Sequence, residues 1–358
     1  MKLLIQPGDG VAALLAGIQG AKKSIEIAIF RFDRAEMEAA LKAAVSRGVS
    51  VTALIAYTNR GGELNLRKLE MRLLAVGVAV SRTSDDLVRY HDKIMIVDHR
   101  VLYVLSFNFT HLDIDHSRGF GIVTRNAPLV KEAVALFNAD VARQPYKPTL
   151  NDFVVSPLNA RAVLGAFIGK ARKELLIYDP LIDDQEMLRA LAARAKAGVA
   201  IKLIGKAGGR GTALEVRALV NLRLHTRTII RDRKQAFLGS QSLRRMELDQ
   251  RREVGVIVHD VKAVAHLAKT FDADWDRKET KTVAKSMAKP KRLRKTVKAL
   301  VTELSPLNPV VKEAVRDAVQ DASASLTQKE VKATVAEAVK EAVKDRVKEL
   351  VKEAVEAS

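Results

Sequence analysis

Apolar and polar positions along the chain switch between two periods, and they do so twice in the same order. Residues 3–5 read as a short strand. Val11, Leu14, Leu15 and Ile18 then follow at helical spacing. The β-branched run at 25–30 predicts a second strand. Asp33 and Glu36 have the spacing of a capping box, which predicts a helix ending near Gly48. Strands are predicted at 49–55, 94–97 and 102–105, and a closing helix at 127–141. The same order returns with a strand at 153–155, a strand at 175–178, Asp183 with Glu186 opening a helix that ends near Gly198, strands at 199–205 and 236–238, and a helix at 261–275. Strands alternating with helices predict an α/β fold with helices on both faces of the sheets.

The recurrence extends to individual letters. Pro7 and Pro157 are separated by 150 residues, and at that offset AKKSIEIAIF pairs with ARKELLIYDP, Glu36-Met37 with Glu186-Met187, and Gly48-Val49 with Gly198-Val199. After a deletion of 16 residues the offset becomes 134, which pairs His91 with His225 and FNAD (137–140) with FDAD (271–274). A duplication explains this agreement, and its period is that of a domain. The expected organisation is a first repeat at 1–150, a second at 151–276, a basic linker at 277–309 and an amphipathic helical tail at 310–358.

The candidate chemistry sits at equivalent places in the two copies. Residues 90–108 read YHDKIMIVDHRVLYVLSFN, with the apolar run 94–97 too short for a helix. Read as a strand from the histidine onward, it places His91 and Lys93 on one face. A histidine beside a fixed cation suits a phosphodiester, whose non-bridging oxygens gain charge in the transition state. A hydrogen-bonded core histidine and a snorkelling lysine explain the same letters equally well. The second copy, LHTRTIIRDRKQAFLGSQS at 224–242, tips the balance. There His225, Arg227 and Asp232 repeat the spacing of His91, Lys93 and Asp98, and Ser240 and Ser242 fall where Ser106 and Asn108 stood.

The paired H-x-K-x4-D segments, each followed by a version of G-S-x-N, resemble the two HKD motifs of the phospholipase D superfamily, among them cardiolipin synthase and phosphatidylserine synthase-like members. HDKIMIVD matches in full, HTRTIIRD has Arg227 at the lysine position, and the trailing elements read LSFN and GSQS. Over residues 1–276 the resemblance implies two tandem α/β/α sandwich repeats packed as a pseudo-dimer, with both histidines in one cleft. It implies a catalytic set of His91, Lys93, Asp98, His225, Arg227 and Asp232, with Ser106, Asn108, Ser240, Ser242 and Glu253 toward the substrate. Glu253 matches an acidic residue that members often carry after G-S-x-N; the first copy has Gly119 there. Carried over, His91 would be the nucleophile and His225 the general acid, a choice that spacing alone leaves open.

Charge and composition refine the picture. The 358 residues include no cysteine, which excludes thiolate chemistry and suggests a reducing, cytoplasmic setting. The N-terminus lacks the features of a signal peptide, and no apolar run approaches the roughly 18 residues of a membrane span. The net charge of +19 points to polyanions. Residues 277–358 carry 19 basic and 12 acidic side chains, with 10 of the basic ones before residue 299, so the linker is the densest positive stretch. Beyond Pro309, valines from Val331 to Val355 recur every fourth position, which suggests a weakly amphipathic helix and a peripheral contact with an anionic membrane.

Two further clusters read as loops. His111, Asp113, Asp115 and His116 have metal-ligand letters but the look of a polar loop after the motif strand. AGGRG (207–211) lacks the remainder of a phosphate-binding loop. No metal or other cofactor is expected, since side chains supply the cations. The expected activity is a phospholipase D-type phosphodiesterase or transphosphatidylase on phospholipid headgroups, working through a covalent phosphohistidine. A metal-independent nuclease or a degenerate phosphate-binding module are the alternatives. Aromatic residues make up only 4% of the chain, which disfavours base-stacking platforms.

Overall fold

A computed structural model describes residues 1–29, 31–57, 63–208 and 214–277. Most of the expected linker, the helical tail and most of the AGGRG segment lie outside the described residues. In the first repeat the elements are β1 (Lys2–Gln6), α1 (Ala12–Gly20), β2 (Ser24–Ile29), α2 (Ala35–Ser46), β3 (Ser50–Ile55), α3 (Glu63–Ala75), β4 (Ala79–Arg82), β5 (Arg89–Tyr90), β6 (Ile94–Val97), β7 (Val101–Leu105), α4 (His111–Asp115), β8 (Ser117–Thr124) and α5 (Ala127–Ala142). In the second they are β9 (Phe153–Ser156), α6 (Ala160–Gly169), β10 (Glu174–Ile182), α7 (Gln185–Lys196), β11 (Ala200–Ala207), β12 (Glu215–Arg217), β13 (Arg223–Leu224), β14 (Arg227–Arg231), β15 (Gln235–Gly239), α8 (Arg245–Asp249), β16 (Arg251–Val258) and α9 (Val261–Trp275).

These strands build two mixed sheets, ordered β1-β8-β7-β6-β2-β3-β4 and β12-β11-β10-β14-β15-β16-β5, with β9 also on β16. Each sheet has parallel and antiparallel pairs in matching places: β2 runs parallel to β3 and antiparallel to β6, as β10 does to β11 and β14. Period-two alternation sorts the strand side chains between two cores. In β10, Leu175 and Ile177 face outward onto Leu164, Phe167 and Met187 of α6 and α7. Leu176 and Tyr178 face the other way, into a core shared with Val104, Phe120 and Ile122 of the first sheet and with α5 and α9. The Tyr178 ring meets Phe120 edge-on at 5.4 Å and Phe271 at 4.9 Å. Burial of each such side chain contributes about 1.5–3 kcal/mol, so this shared layer joins the repeats firmly.

The two sheets also exchange strands, which the sequence pattern does not reveal. The two-residue β5 of the first repeat pairs with β16 of the second sheet, and β13 of the second repeat pairs with β8 of the first. The predicted motif strand is therefore broken. The His91 amide donates to the Arg252 carbonyl on the far sheet, whereas the Lys93 carbonyl accepts from Leu105 on its own. His91 to Lys93 is the step where the chain crosses between sheets. The His225 amide likewise donates to Arg118.

Two buried ion pairs tie the crossing. Arg118 is bidentate to Asp274 at 2.7 and 2.9 Å, and Asp274 also accepts from the Tyr178 hydroxyl at 2.8 Å. At the equivalent place Arg252 donates to Asp140 at 3.0 Å. Each pair joins one repeat's strand to the other repeat's closing helix.

Helix starts differ from the capping boxes expected. Asp184, not Asp183, caps α7 and accepts from the amides of Glu186 and Met187; the Asp183 side chain is taken by Arg244. Arg34 occupies the N-cap of α2 without a side-chain cap, because Asp33 is committed to the His111 amide. Gly48 and Gly198 follow α2 and α7 at φ +83° and +87°, the left-handed turn that favours glycine.

Candidate active site

Because each motif begins where the chain crosses between sheets, both histidines lie at the seam of the two repeats. His91 Nδ1 stands 2.9 and 3.0 Å from the Glu253 carboxylate of β16. Lys93 Nζ donates to the His91 carbonyl at 2.8 Å and lies 3.1 Å from His91 Nε2. Lys93 Nζ is also 3.2 Å from Nδ1, so the acceptor-only Glu253 carboxylate decides the tautomer: Nδ1–H donates to it and the lone pair sits on Nε2. That arrangement sets the tautomer, with the lone pair on Nε2, on the side of the ring away from the carboxylate.

Burial pushes the His91 imidazole well below its ordinary basicity, and Lys93, Arg227, Arg251 and Arg89 push it further, so the neutral ring is the resident form. Burial lowers Lys93 to about 7 against the pull of Glu253. Burial and the neighbouring Glu247 raise Glu253 to about 8, opposed by Lys93 and Arg251. Lys93 and Glu253 titrate together, because each is among the other's charged neighbours.

The second histidine is built differently. Gly119 stands where the repeat would place the equivalent of Glu253, so no carboxylate meets the Nδ1 of His225, which is buried without a hydrogen-bond partner. Its Nε2 lies 3.6 Å from Asp113. Asp113 accepts from the Asn108 amide at 2.8 Å, the Asn108 side chain at 2.7 Å and Arg223 at 2.8 Å. Burial works to raise this carboxyl, but His225, Arg223 and the Asn108 hydrogen bonds outweigh it and hold Asp113 well below the usual range. The polar loop expected at 111–116 is thus the short helix α4, and its Asp113 is part of the site. Glu247 of α8 is the repeat equivalent: it accepts from the Ser242 amide at 2.7 Å and lies 4.0 Å from Arg227. Arg227 donates to the His225 carbonyl, as Lys93 does to that of His91, and to the Ser242 hydroxyl at 3.2 Å.

Other predicted residues are placed elsewhere. Asp98 and Asp232 do not join the histidines, which corrects their catalytic assignment. Each sits at the opposite end of its motif strand, in the left-handed region at φ +54° and +52°. Asp98 accepts from the amides of Lys22, Lys23 and Ser24, and Asp232 from those of Arg172, Lys173 and Glu174. They clamp the turn after the motif strand to the start of β2 or β10. Ser106 accepts from the Phe120 amide, and Ser240 bonds across to Val254 on the neighbouring strand and also supports the Glu253 carboxylate. Leu105, at a position where the second copy has Gly239, is fully buried over Gly121, where an added Cβ would meet its side chain at 2.6 Å.

Sequence reasoning missed Asp113, Glu247, Arg89, Arg223 and Arg251. The 134-residue offset was the available signal, since it pairs Asp113 with Glu247 and Arg89 with Arg223.

Comparison with known proteins places the fold and the family. No curated protein matches the chain. The fold is similar to that of polyphosphate kinase from Porphyromonas gingivalis (TM-score 0.64, 20% identity, covering 77% of this chain and 50% of that one). The chain therefore spans half the length of that enzyme. It is also similar to phosphatidylserine synthase from Haemophilus influenzae (TM-score 0.61, 12% identity, 77% and 86% covered). These two likenesses show the fold alone. Nuc, a phospholipase D family member from Salmonella typhimurium, aligns over 40% of this chain and 95% of its own, at 25% identity and TM-score 0.36. A family profile described as "Cardiolipin synthase, PLD-like domain" matches residues 14–141 and 164–275, which cover both motifs and more than half of the chain. The chain therefore belongs to the phospholipase D-like family of cardiolipin synthase type.

Proposed function

We propose that this protein cleaves phosphodiesters by a two-histidine mechanism, with His91 as nucleophile and His225 as general acid and base. The observation that carries this reading is the Glu253–His91–Lys93 arrangement, which orients one imidazole with its lone pair on Nε2. In the first step Nε2 attacks phosphorus, a P–N bond forms, and the P–O bond to the leaving alcohol breaks as His225 delivers its proton. Water or an acceptor alcohol then attacks the phosphohistidine and gives its proton to His225, which releases the product and restores His91. Lys93 and Arg227 offset the charge on the non-bridging oxygens, the arginine through a planar fork and the lysine as a point charge. The buried, unpartnered Nδ1 of His225 and Oδ1 of Asn108 fit a site whose hydrogen bonds are completed by substrate.

The substrate class favoured is the phospholipid headgroup, on the strength of the cardiolipin synthase description of the family and the scarcity of aromatic side chains for stacking bases. Among the described residues no helix is long and apolar enough to cross a membrane. Contact with an anionic surface is assigned to the basic stretch that begins at Arg277. Removal of residues 277–358 then weakens vesicle binding at low salt, and unchanged affinity would remove that assignment.

The activity test is product analysis in EDTA, with phosphatidylglycerol vesicles and a single-stranded oligonucleotide offered in parallel to wild type and His91→Asn. Lipid turnover lost in the variant supports the reading, and oligonucleotide turnover in its place selects the nuclease alternative. Turnover of neither, or equal turnover by the variant, points to a phosphate-binding module instead.

A further inference from the structure

The strands at the seam have a second end, away from the histidines. β6 leads from Lys93 to the turn at His99 and Arg100, and β14 leads from Arg227 to the turn at Arg233 and Lys234. β8 runs from Ser117, beside Arg223, to Arg125, and β16 carries the chain from Glu253 to His259. At about 3.3 Å per residue, the stretch from Glu253 to His259 puts this end about 20 Å from the reacting centre.

Hollows follow one another across it. The first, of about 490 Å³, is lined by Arg100, Arg125 and Lys131, with the first turn of α5 as a wall. On the other side of that turn, against Pro128 and Leu129, a hollow of about 430 Å³ reaches His259. His259 also lines the next, of about 480 Å³, together with Lys170, Arg172 and Lys234. The lysines and arginines named here are exposed, and among the described residues none is in an ion pair with a carboxylate. The acids lining the hollows are engaged: Asp232 by three backbone amides, Asp152 by His259 and Asp260 by the N-terminal amine. Both outer hollows are therefore open and positive.

Their placement has a symmetry. Arg100 and Lys234 are 134 residues apart, the offset that pairs the motifs. Contacts between the repeats are reciprocal, β5 on the second sheet and β13 on the first, Arg252 with Asp140 and Arg118 with Asp274, which is the pattern of a twofold axis. Two basic clusters thus flank the seam, with Asp152 and Asp260 between them. A nucleic-acid duplex has the matching layout, two phosphate rows related by dyads on either side of a groove. A flat anionic bilayer would press its headgroups onto the two acids as well. The membrane contact assigned to the chain after Arg277 also belongs elsewhere, since α9 starts beside His259 and returns to Asp274, held by Arg118 at the histidine end of β8. Few aromatic side chains are needed to grip a backbone.

We propose that the face at the outer ends of the motif strands docks duplex nucleic acid by its phosphates, through Arg100, Arg125 and Lys131 on one side of the seam and Lys170, Arg172 and Lys234 on the other. This surface holds the protein on a polyanion without presenting it to the histidines, and it does not depend on the reading of the His91 site.

The test is fluorescence anisotropy of a labelled DNA duplex titrated with the full chain between about 50 and 200 mM salt, with binding to phosphatidylglycerol vesicles measured in parallel. Arg100→Gln with Lys234→Gln removes one exposed cation from each cluster. Duplex affinity falls about tenfold, and the log–log salt slope falls by about 2, close to 0.9 for each phosphate contact. Lys42→Gln with Arg189→Gln, exposed on α2 and α7, makes the same change in net charge and leaves affinity and slope near those of wild type. His91→Asn binds the duplex as wild type does. No duplex binding by wild type, unchanged affinity in the Arg100/Lys234 variant, or an equal loss in the Lys42/Arg189 control overturns the proposal. Weakened binding by His91→Asn would move the duplex to the histidine end, and a loss of vesicle affinity as large as the loss of duplex affinity would assign the face to a bilayer; either result overturns it too. Every substitution in the two paired variants is at an exposed side chain, and unchanged thermal melting shows that the fold is intact.

Discussion

His91 Nδ1 lies 2.9 Å from the Glu253 carboxylate, although 162 residues and a repeat boundary separate the two. The equivalent pair in the other direction does not exist, because Gly119 replaces the carboxylate. His225 instead turns Nε2 toward Asp113 at 3.6 Å. Duplication supplied two similar histidines, and later divergence made their environments unlike. The proposed division of labour follows from that difference.

Glu253→Gln keeps the shape of the acceptor but lets an amide N–H face Nδ1, which favours the tautomer with its lone pair on the wrong nitrogen. We expect kcat to fall roughly 10²–10⁴-fold, the range for loss of an oriented acid–base group, with KM changed far less. Steady-state kinetics on a chromogenic diester check this. A change confined to KM would assign Glu253 to binding.

The pH profile has a defined sign. With a p-nitrophenyl diester, whose leaving group needs no proton from His225, the productive form carries an ionised Glu253 and a charged Lys93. Glu253 is raised to about 8 by burial and Glu247, and Lys93 is lowered to about 7 by burial, so the coupled pair gives a bell with its maximum between those values. Activity falls on the acid side as Glu253 gains a proton and on the alkaline side as Lys93 loses one. Lys93→Arg, which copies the cation of the second motif, cannot lose its proton and removes the alkaline limb. A variant profile with that limb unchanged would assign it to another group.

The seam should be sensitive to a lone buried charge. Arg118→Met leaves Asp274 buried without its bidentate partner, and the expected loss of stability is about 3–5 kcal/mol. Arg118→Met combined with Asp274→Leu should recover most of it, since neither charge then remains. Urea titrations of the two variants check the difference. Equal destabilisation by both would mean that the salt bridge itself, and not the stranded carboxylate, dominates.

Much of the fold is written in local letters. The period-two runs, Gly48 and Gly198, and the two offsets suffice for two α/β repeats. The histidine–cation pairs are legible because the motif is short and occurs twice. What local letters do not carry is the partner of each strand end. Nothing in Arg89-Tyr90 says that it adds to the far sheet, so the contact of His91 with Glu253 emerges only in the fold. Asp113 reads as one acid in a polar stretch, since its burial depends on Arg223 arriving from the other repeat. Asp98 and Asp232 lie within the motif by spacing yet point to the far end of the strand. Their left-handed backbone and three amide donors identify them as clamps.

The central claim is that His91, and not His225, carries the covalent phosphoryl group. The most direct measurement is rapid acid-free denaturing quench of the enzyme during turnover, followed by peptide mass spectrometry for an acid-labile, alkali-stable phosphoramidate. A phosphorylated peptide containing His91 is expected, absent from His91→Asn and still formed by His225→Asn with a substrate whose leaving group needs no protonation. An adduct on the His225 peptide, or full turnover with no adduct on either histidine, would contradict it.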